Sequence, residues 1–187
     1  MKAIAQLKYF LAVVLLMLPV VANAQWRYVT NDDRTITITL YTGTNTSVIT
    51  PCKIDGMPVT RIGGGTFIAN YQLFNITISD GVGSIGDMTF AECYSLTNIT
   101  ISGSVTNIGV AAFIRCHELK SVLFRGAAPN FDVLVDGDRR EEIFSDDNIT
   151  IYRLPGTIGW SNSFCGRPVV IWNPPVATNA AVDVKAK

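Results

Sequence analysis

Val59-Thr-Arg-Ile62-Gly63, Val82-Gly-Ser-Ile85-Gly86 and Val105-Thr-Asn-Ile108-Gly109 are one phrase written three times at intervals of 23 residues. Working outward from it, Phe67 recurs as Phe90 and Phe113, and Leu73 as Leu96 and Leu119. Ile76 and Ile78 recur as Ile99 and Ile101, then as Val122 and Phe124. A fixed period of this length marks a solenoid, whose coils bury their apolar faces only against neighbouring coils. The expected fold is a β-rich solenoid of short right-handed coils.

Each coil carries the pattern Leu-x-x-Ile-x-Ile, or its variant Leu119-Lys-Ser-Val122-Leu-Phe124. Its alternating end predicts a short strand with apolar side chains inward and polar ones outward. Gly63, Gly86 and Gly109 form a column of their own, which predicts a turn requiring positive φ. Gly63-Gly64-Gly65 lacks the Lys-Ser/Thr of a phosphate-binding loop and is read as a turn. Asn70, Cys93 and Cys116 share another column, a buried turn position where Asn would bond to backbone and Cys would pack as a small hydrophobe.

Before the first coil, Trp26 to Thr30 and Thr35 to Thr42 are β-rich runs flanking Asn31-Asp32-Asp33-Arg34, the signature of a hairpin. It would cover the N-terminal edge of the array. After the third coil, Ile149-Thr-Ile151 repeats the strand, aligned with Val122 and Phe124, with Asp146 in the leucine place. The extra length falls in 127–142, an insertion expected to be a surface loop. Trp160, Phe164 and Trp172 then supply a bulky apolar end, expected to cap the core. The Pro/Ala/Thr-rich residues 173–187 have little to bury and predict a disordered tail.

The first 24 residues have the marks of an export signal: Lys2 and Lys8, an apolar run from Tyr9 to Ala22, and Ala22-Asn23-Ala24 at the cleavage position. That run is 14 residues, short of the ~20 needed for a membrane-spanning helix. The mature chain would begin at Gln25 and be secreted or extracytoplasmic. Without Lys2 and Lys8 it holds 13 basic and 15 acidic residues. No basic stripe favours nucleic acid, and no polybasic patch favours a membrane surface.

Cys52, Cys93, Cys116 and Cys165 contain no C-x-x-C pair, so zinc and redox-motif readings are weak. Buried free thiols at Cys93 and Cys116, a Cys93–Cys116 staple between adjacent strands ~4.8 Å apart, and a Cys52–Cys165 link between the two ends all remain open. His117 is the sole histidine. As a sequence neighbour of Cys116 on one turn, it is poorly placed to act as its base. Asp132, Asp136, Asp138, Glu141 and Glu142 crowd the insertion but lack the alternation of a calcium loop, and Arg139 and Arg140 oppose an ion. No metal, cofactor or catalytic residue is expected. Asn45, Asn75, Asn98 and Asn148 each begin an Asn-x-Ser/Thr triplet, three of them as by-products of the strand repeat.

The coils, written Ile-Gly-x-x-x-Phe-x-x-Cys-x-x-Leu-x-x-Ile-x-Ile, resemble the BspA-like leucine-rich repeats of bacterial secreted and surface proteins. The lead-in Ile54-Asp-Gly-Met-Pro-Val59 and the ending Leu154-Pro-Gly-Thr-x-Gly-Trp160 are similar to the flanks of such chains. The resemblance implies a leucine-rich-repeat solenoid and, for some members, adhesion to host proteins; it carries over no catalytic residue. The chain then divides into a signal peptide at 1–24, an N-terminal β cap at 25–58 and three repeats at 59–126. Residues 127–172 hold the insertion, a degenerate fourth repeat and the C-terminal cap, and 173–187 are the tail.

The candidate site is the outward strand face, in three columns. These are Asn75, Asn98, Ser121 and Asn148; Thr77, Thr100, Leu123 and Thr150; and Ser79, Ser102, Arg125 and Tyr152. The strip is neutral and rich in hydroxyls and amides. Tyr152 is its only aromatic, which favours a protein ligand over a glycan, since sugars stack on aromatic faces. The expected function is a non-catalytic binding module for a protein or, second, a glycan. The alternative is a structural or assembly module of the cell envelope with no dedicated ligand.

Overall fold

The computed structural model describes residues 25–131, 144 and 148–173. The leader, most of the insertion, including its five acidic residues and Arg139 and Arg140, Asp146 and all of the tail but Asn173 lie outside the described residues. Among those described, the strands in chain order are β1 (Trp26–Thr30), β2 (Ile36–Tyr41), β3 (Ser47–Ile49), β4 (Lys53–Ile54), β5 (Met57–Ile62), β6 (Asn75–Thr77) and β7 (Ser84–Ile85). They continue with β8 (Asn98–Ile101), β9 (Asn107–Ile108), β10 (Ser121–Phe124), β11 (Asn130–Phe131), β12 (Thr150–Arg153), β13 (Ser163–Phe164) and β14 (Arg167–Ile171). The result is a β-rich, leucine-rich-repeat-type fold built on two largely parallel sheets.

The phrase that opens each coil and the phrase that closes it fall into different sheets. One sheet runs β1-β2-β5-β7-β9-β11, with β4 paired to β5; the other runs β13-β14-β12-β10-β8-β6-β3. Parallel pairing sets Ile62 beside Ile85 and Ile85 beside Ile108 in the first. In the second it sets Ile76 beside Ile99 and Ile99 beside Val122. Parallel strands need a long crossover, and here the rest of the coil, including the opposite sheet's strand, is the crossover. Hairpins with left-handed turn residues precede β5 and β14, at Asp55-Gly56 and Cys165-Gly166. Positive φ at both centres matches the turn that joins twisted antiparallel strands in two residues.

The core lies between the sheets. Leu73, Leu96 and Leu119 are fully buried, as are the alternating Ile76, Ile99 and Val122. Through the turns runs a stack of rings: Phe67 on Phe90 at 5.2 Å, Phe90 on Phe113 at 5.4 Å, and Phe113 on Phe144 at 5.4 Å. Tyr41 and Trp26 continue it N-terminally, 5.3 and 6.0 Å from Phe67. Phe144 escaped the sequence reading because irregular spacing removed it from the 23-residue register.

Two expectations need correction. Gly63, Gly86 and Gly109 do not have positive φ; that conformation falls instead on Gly65, Met88 and Ala111, and on Ala69, Glu92 and Arg115. The glycine column exists because neighbouring coils touch there. A Cβ on Gly86 would lie 2.6 Å from the Gly64 nitrogen, and one on Gly109 would lie 2.5 Å from the Asp87 nitrogen. The second correction is the fourth coil's register. Val122 pairs with Ile151, and Phe124 with Arg153, two residues away from the alignment of Ile149 with Val122. The pairing follows burial: Ile149 and Ile151 both point inward, and only this register places Ile151 beside Val122.

Candidate functional site

The outward face of the second sheet follows directly from strand alternation. Parallel pairing aligns Ser47, Asn75, Asn98, Ser121 and Thr150 in one row, and Ile49, Thr77, Thr100, Leu123, Tyr152 and Val170 in the next. Asn75 and Asn98 are exposed, and Thr77, Thr100, Ser121, Leu123, Thr150 and Tyr152 are half-buried. The altered register moves Thr150 and Tyr152 one row each and leaves Asn148, although exposed, outside the rows.

The third expected row does not form one surface. Arg125 is exposed, but Ser102 is buried at 2% exposure. Its hydroxyl meets that of Ser104 at 2.6 Å. Ser79 is half-buried, with its backbone N–H donating to Thr50 Oγ1 at 2.9 Å and its hydroxyl donating to the Thr50 carbonyl. At this position the chain is leaving the strand, and a short hydroxyl side chain serves the turn rather than solvent.

Hydrogen bonds fix the first row. Asn75 donates to Ser47 Oγ at 3.3 Å, Asn98 Nδ2 to Asn75 Oδ1 at 2.9 Å, and Ser121 Oγ to Asn98 Oδ1 at 2.5 Å. Asn98 Nδ2 also donates to Thr97 Oγ1 at 2.9 Å. These side chains are held in place before any ligand arrives.

At the C-terminal end the face becomes concave. A groove of about 290 Å³ is lined by Asn98, Thr100, Ser121, Leu123, Tyr152 and Trp172. Trp172 corrects the expected cap: it is 38% exposed and faces the groove. The Trp172 N–H donates to the Arg153 carbonyl at 2.8 Å, so the chain continues alongside β12 past the end of β14. Trp160 and Phe164 do pack inward, against Phe124 at 5.0 and 5.9 Å. Trp160 Nε1 donates to the Gly126 carbonyl at 3.1 Å. The run Val169-Val170-Ile171-Trp172 is apolar throughout, so no local pattern in the sequence separated Trp172 from them. Ser47, Ile49 and Val170 also escaped the sequence reading, because their strands lie beyond the clear repeats.

The other candidates separate in space. Cys52, Cys93 and Cys116 are free thiols, the first exposed and the other two buried, so neither the Cys93–Cys116 staple nor the Cys52–Cys165 link forms. The Cys93 and Cys116 sulfhydryls donate to the carbonyls of Phe67 at 3.1 Å and Phe90 at 3.0 Å, each in the preceding coil. Burial pushes the Cys93 thiol up to about 12. Burial first, and then the nearby Cys93, pushes the Cys116 thiol up as well. Neither can serve as a nucleophile near neutral pH. His117 is exposed and stacks on Tyr94 at 5.7 Å, away from the inward-pointing Cys116. Asn70, in the cysteine column, is half-buried and accepts from the Gln72 N–H at 3.2 Å. Among the described residues no cluster of His, Cys, Asp or Glu could hold a metal ion, and no helix is long and apolar enough to cross a membrane.

A family model described as the BspA type leucine rich repeat region matches residues 32–132, as six copies. No functionally curated protein matches the chain. Among solved structures, a leucine-rich repeat protein from Bacteroides capillosus is 28% identical, with a TM-score of 0.55 over 60% of this chain and 86% of that one. The T. pallidum leucine-rich repeat protein is 25% identical, with a TM-score of 0.53 over 57% of this chain and 53% of that one. This chain therefore spans about half the length of the T. pallidum protein. A leucine-rich repeat protein from Bacteroides ovatus shares the fold at 21% identity and a TM-score of 0.51, over 80% of this chain and 40% of that one.

Proposed function

The chain belongs to the BspA-type leucine-rich repeat family, and on that premise we propose that it is an exported, non-catalytic binding module whose ligand seats on the outward face of the second sheet. The observation that carries the reading is the pre-ordered Asn75–Asn98–Ser121 row beside a concave groove. Side chains already fixed by one another lose little entropy on binding, which favours recognition over mere solvation.

In this reading residues 59–126 supply the repeated coils. Residues 25–58 and 127–172 close the two ends, with the β1–β2 hairpin over one and Trp160 and Phe164 over the other. Residues 1–24 are removed on export, leaving Gln25 at the N-terminus, and 173–187 form a tail. N-terminal sequencing of secreted material tests the first point; Lys2 and Lys8 retained in that material would refute it.

Area limits the affinity. Six strands at ~4.8 Å by about four residues at ~3.3 Å give roughly 400 Å². That is about half of the ~800 Å² per partner in a standard protein interface. One copy should bind weakly and gain through clustering on a surface. The preference for protein over glycan rested on Tyr152 as the strip's only aromatic, and Trp172 removes that ground.

The test immobilises the purified protein and exposes it to solubilised envelope fractions, matrix proteins and glycans. A bound component lost when Thr77, Thr100 and Arg125 are changed together to Ala supports the proposal. Binding indifferent to that change would refute the strand face as the ligand surface, and no binder at all favours a structural module of the envelope.

A further inference from the structure

We propose that the groove at the C-terminal end of the strand face is a subsite for a neutral saccharide, with the Tyr152 and Trp172 rings as its apolar walls. This rests on the strand face being the ligand surface and names the chemistry of one part of it.

Charge comes first. No residue lining the groove carries a charge at neutral pH, so a phosphate, a sulfated polymer or an acidic peptide would find no counterion there. A neutral ligand avoids that desolvation cost.

Ring availability comes second. Among the exposed aromatics elsewhere, Tyr71 stacks on Tyr94 at 5.2 Å and Tyr94 on His117 at 5.7 Å, whereas Phe74 is exposed without a stacked ring among the described residues and lies outside the groove lining. Tyr152 and Trp172 stack on no other ring among the described residues, and both line the same concavity. A pyranose presents a C–H face, which suits the negative face of an aromatic ring, and a rim of hydroxyls.

The rim needs partners, and the groove holds them. Thr100 Oγ1, the Tyr152 hydroxyl and the Trp172 indole N–H have no hydrogen-bond partner among the described residues. Beside them stand Asn98 and Ser121, held by their shared bond at 2.5 Å and each with acceptor capacity left. Donors and acceptors thus mix along one wall with aromatic faces nearby.

Size decides between ligand classes. At about 290 Å³ the groove is at the small end of ligand sites, suited to one or two sugar rings. A folded protein would need about twice the roughly 400 Å² that the whole face offers.

The experiment is native affinity electrophoresis through gels cast with xyloglucan, glucomannan, mixed-linkage β-glucan or amylopectin, with heparin and polygalacturonate as anionic comparators. The expected result is retardation by at least one neutral polymer. It should weaken at least tenfold in Trp172→Ala and in Tyr152→Ala, partly recover in Trp172→Phe, and stay unchanged in Tyr71→Ala. Circular dichroism verifies that each variant is folded; should Tyr152→Ala fail to fold, Trp172→Ala and Trp172→Phe carry the test. Three results overturn the proposal: no neutral polymer retards the wild type, only anionic polymers do, or folded Trp172→Ala is retarded like wild type. A protein ligand captured through Thr77 and Thr100, with no neutral polymer bound, would overturn this inference and leave the binding-module reading standing.

Discussion

Replacing Phe90 with Ala removes the middle of the ring stack. Phe90 is fully buried and lies between Phe67 at 5.2 Å, tilted by 17°, and Phe113 at 5.4 Å, tilted by 3°. The loss of buried surface and the cavity left behind cost about 3–5 kcal/mol for a core Phe→Ala change. Two stacked pairs disappear with it, each worth about 0.5–1.5 kcal/mol beyond area. The neighbouring coils hold Phe67 and Phe113, and a solenoid derives its stability from such nearest-neighbour interfaces. Against a typical total of about 5–15 kcal/mol, the variant should lose most of its margin. At roughly 2–4 °C per kcal/mol for a chain of this size, its melting temperature should fall by at least about 10 °C. Phe144→Ala is the internal comparator: it is equally buried but has a single ring neighbour among the described residues, Phe113 at 5.4 Å. Its shift should be smaller. Thermal and urea melts followed by circular dichroism measure both. A Phe90→Ala melt within a few degrees of wild type would refute the stacked-core argument.

Gly86→Ala should destabilise by about 2 kcal/mol or more, because its Cβ would meet the Gly64 nitrogen at 2.6 Å. Gly56→Ala, with open space but φ of +79°, should cost only about 1 kcal/mol, and urea melts that reverse this order would refute the close-approach reading. Trp160→Ala should cost about 2–3 kcal/mol, through its packing on Phe124 and its bond to Gly126. Trp172→Ala, exposed on the groove, should change stability by less than about 1 kcal/mol; equal losses would return Trp172 to the cap. Iodoacetamide at pH 8 should label exposed Cys52 and reach Cys93 and Cys116 only after unfolding, as read by mass spectrometry. The folded Cys93 thiol keeps its proton above its ordinary value of 9.0, up to about 12. Its contribution to stability is therefore complete below pH 9 and lost between 9 and 12, so the urea midpoint should fall over that window less steeply in Cys93→Ala. A chain ending at Leu154 should be insoluble, whereas one ending at Trp172 should melt like wild type. A soluble, folded 25–154 would move the binding site toward Trp160 and Phe164.

Much of the fold was legible because coil-on-coil packing imposes identical demands every 23 residues. Buried Phe67, Phe90 and Phe113, the leucine column and the inward Ile76, Ile99 and Val122 all follow from that one periodicity. The outward Asn75, Thr77, Asn98, Thr100, Ser121 and Leu123 follow from strand alternation alone. Where the period lapses, local pattern stops fixing position. Ile149 and Ile151 are both apolar, so sequence could not choose between two registers; pairing Ile151 with Val122 did. The glycine column was visible, but its cause was not. A residue without Cβ can answer a need for positive φ or for close approach, and only the 2.5–2.6 Å spacing to the adjacent backbone distinguishes them. The groove lies furthest from the sequence. Asn98, Leu123, Tyr152 and Trp172 come from four different strands or strand ends, and nothing local brings them together. Trp172 joins the other three because β14 adds to the sheet beside β12, a contact between segments that the repeat does not relate.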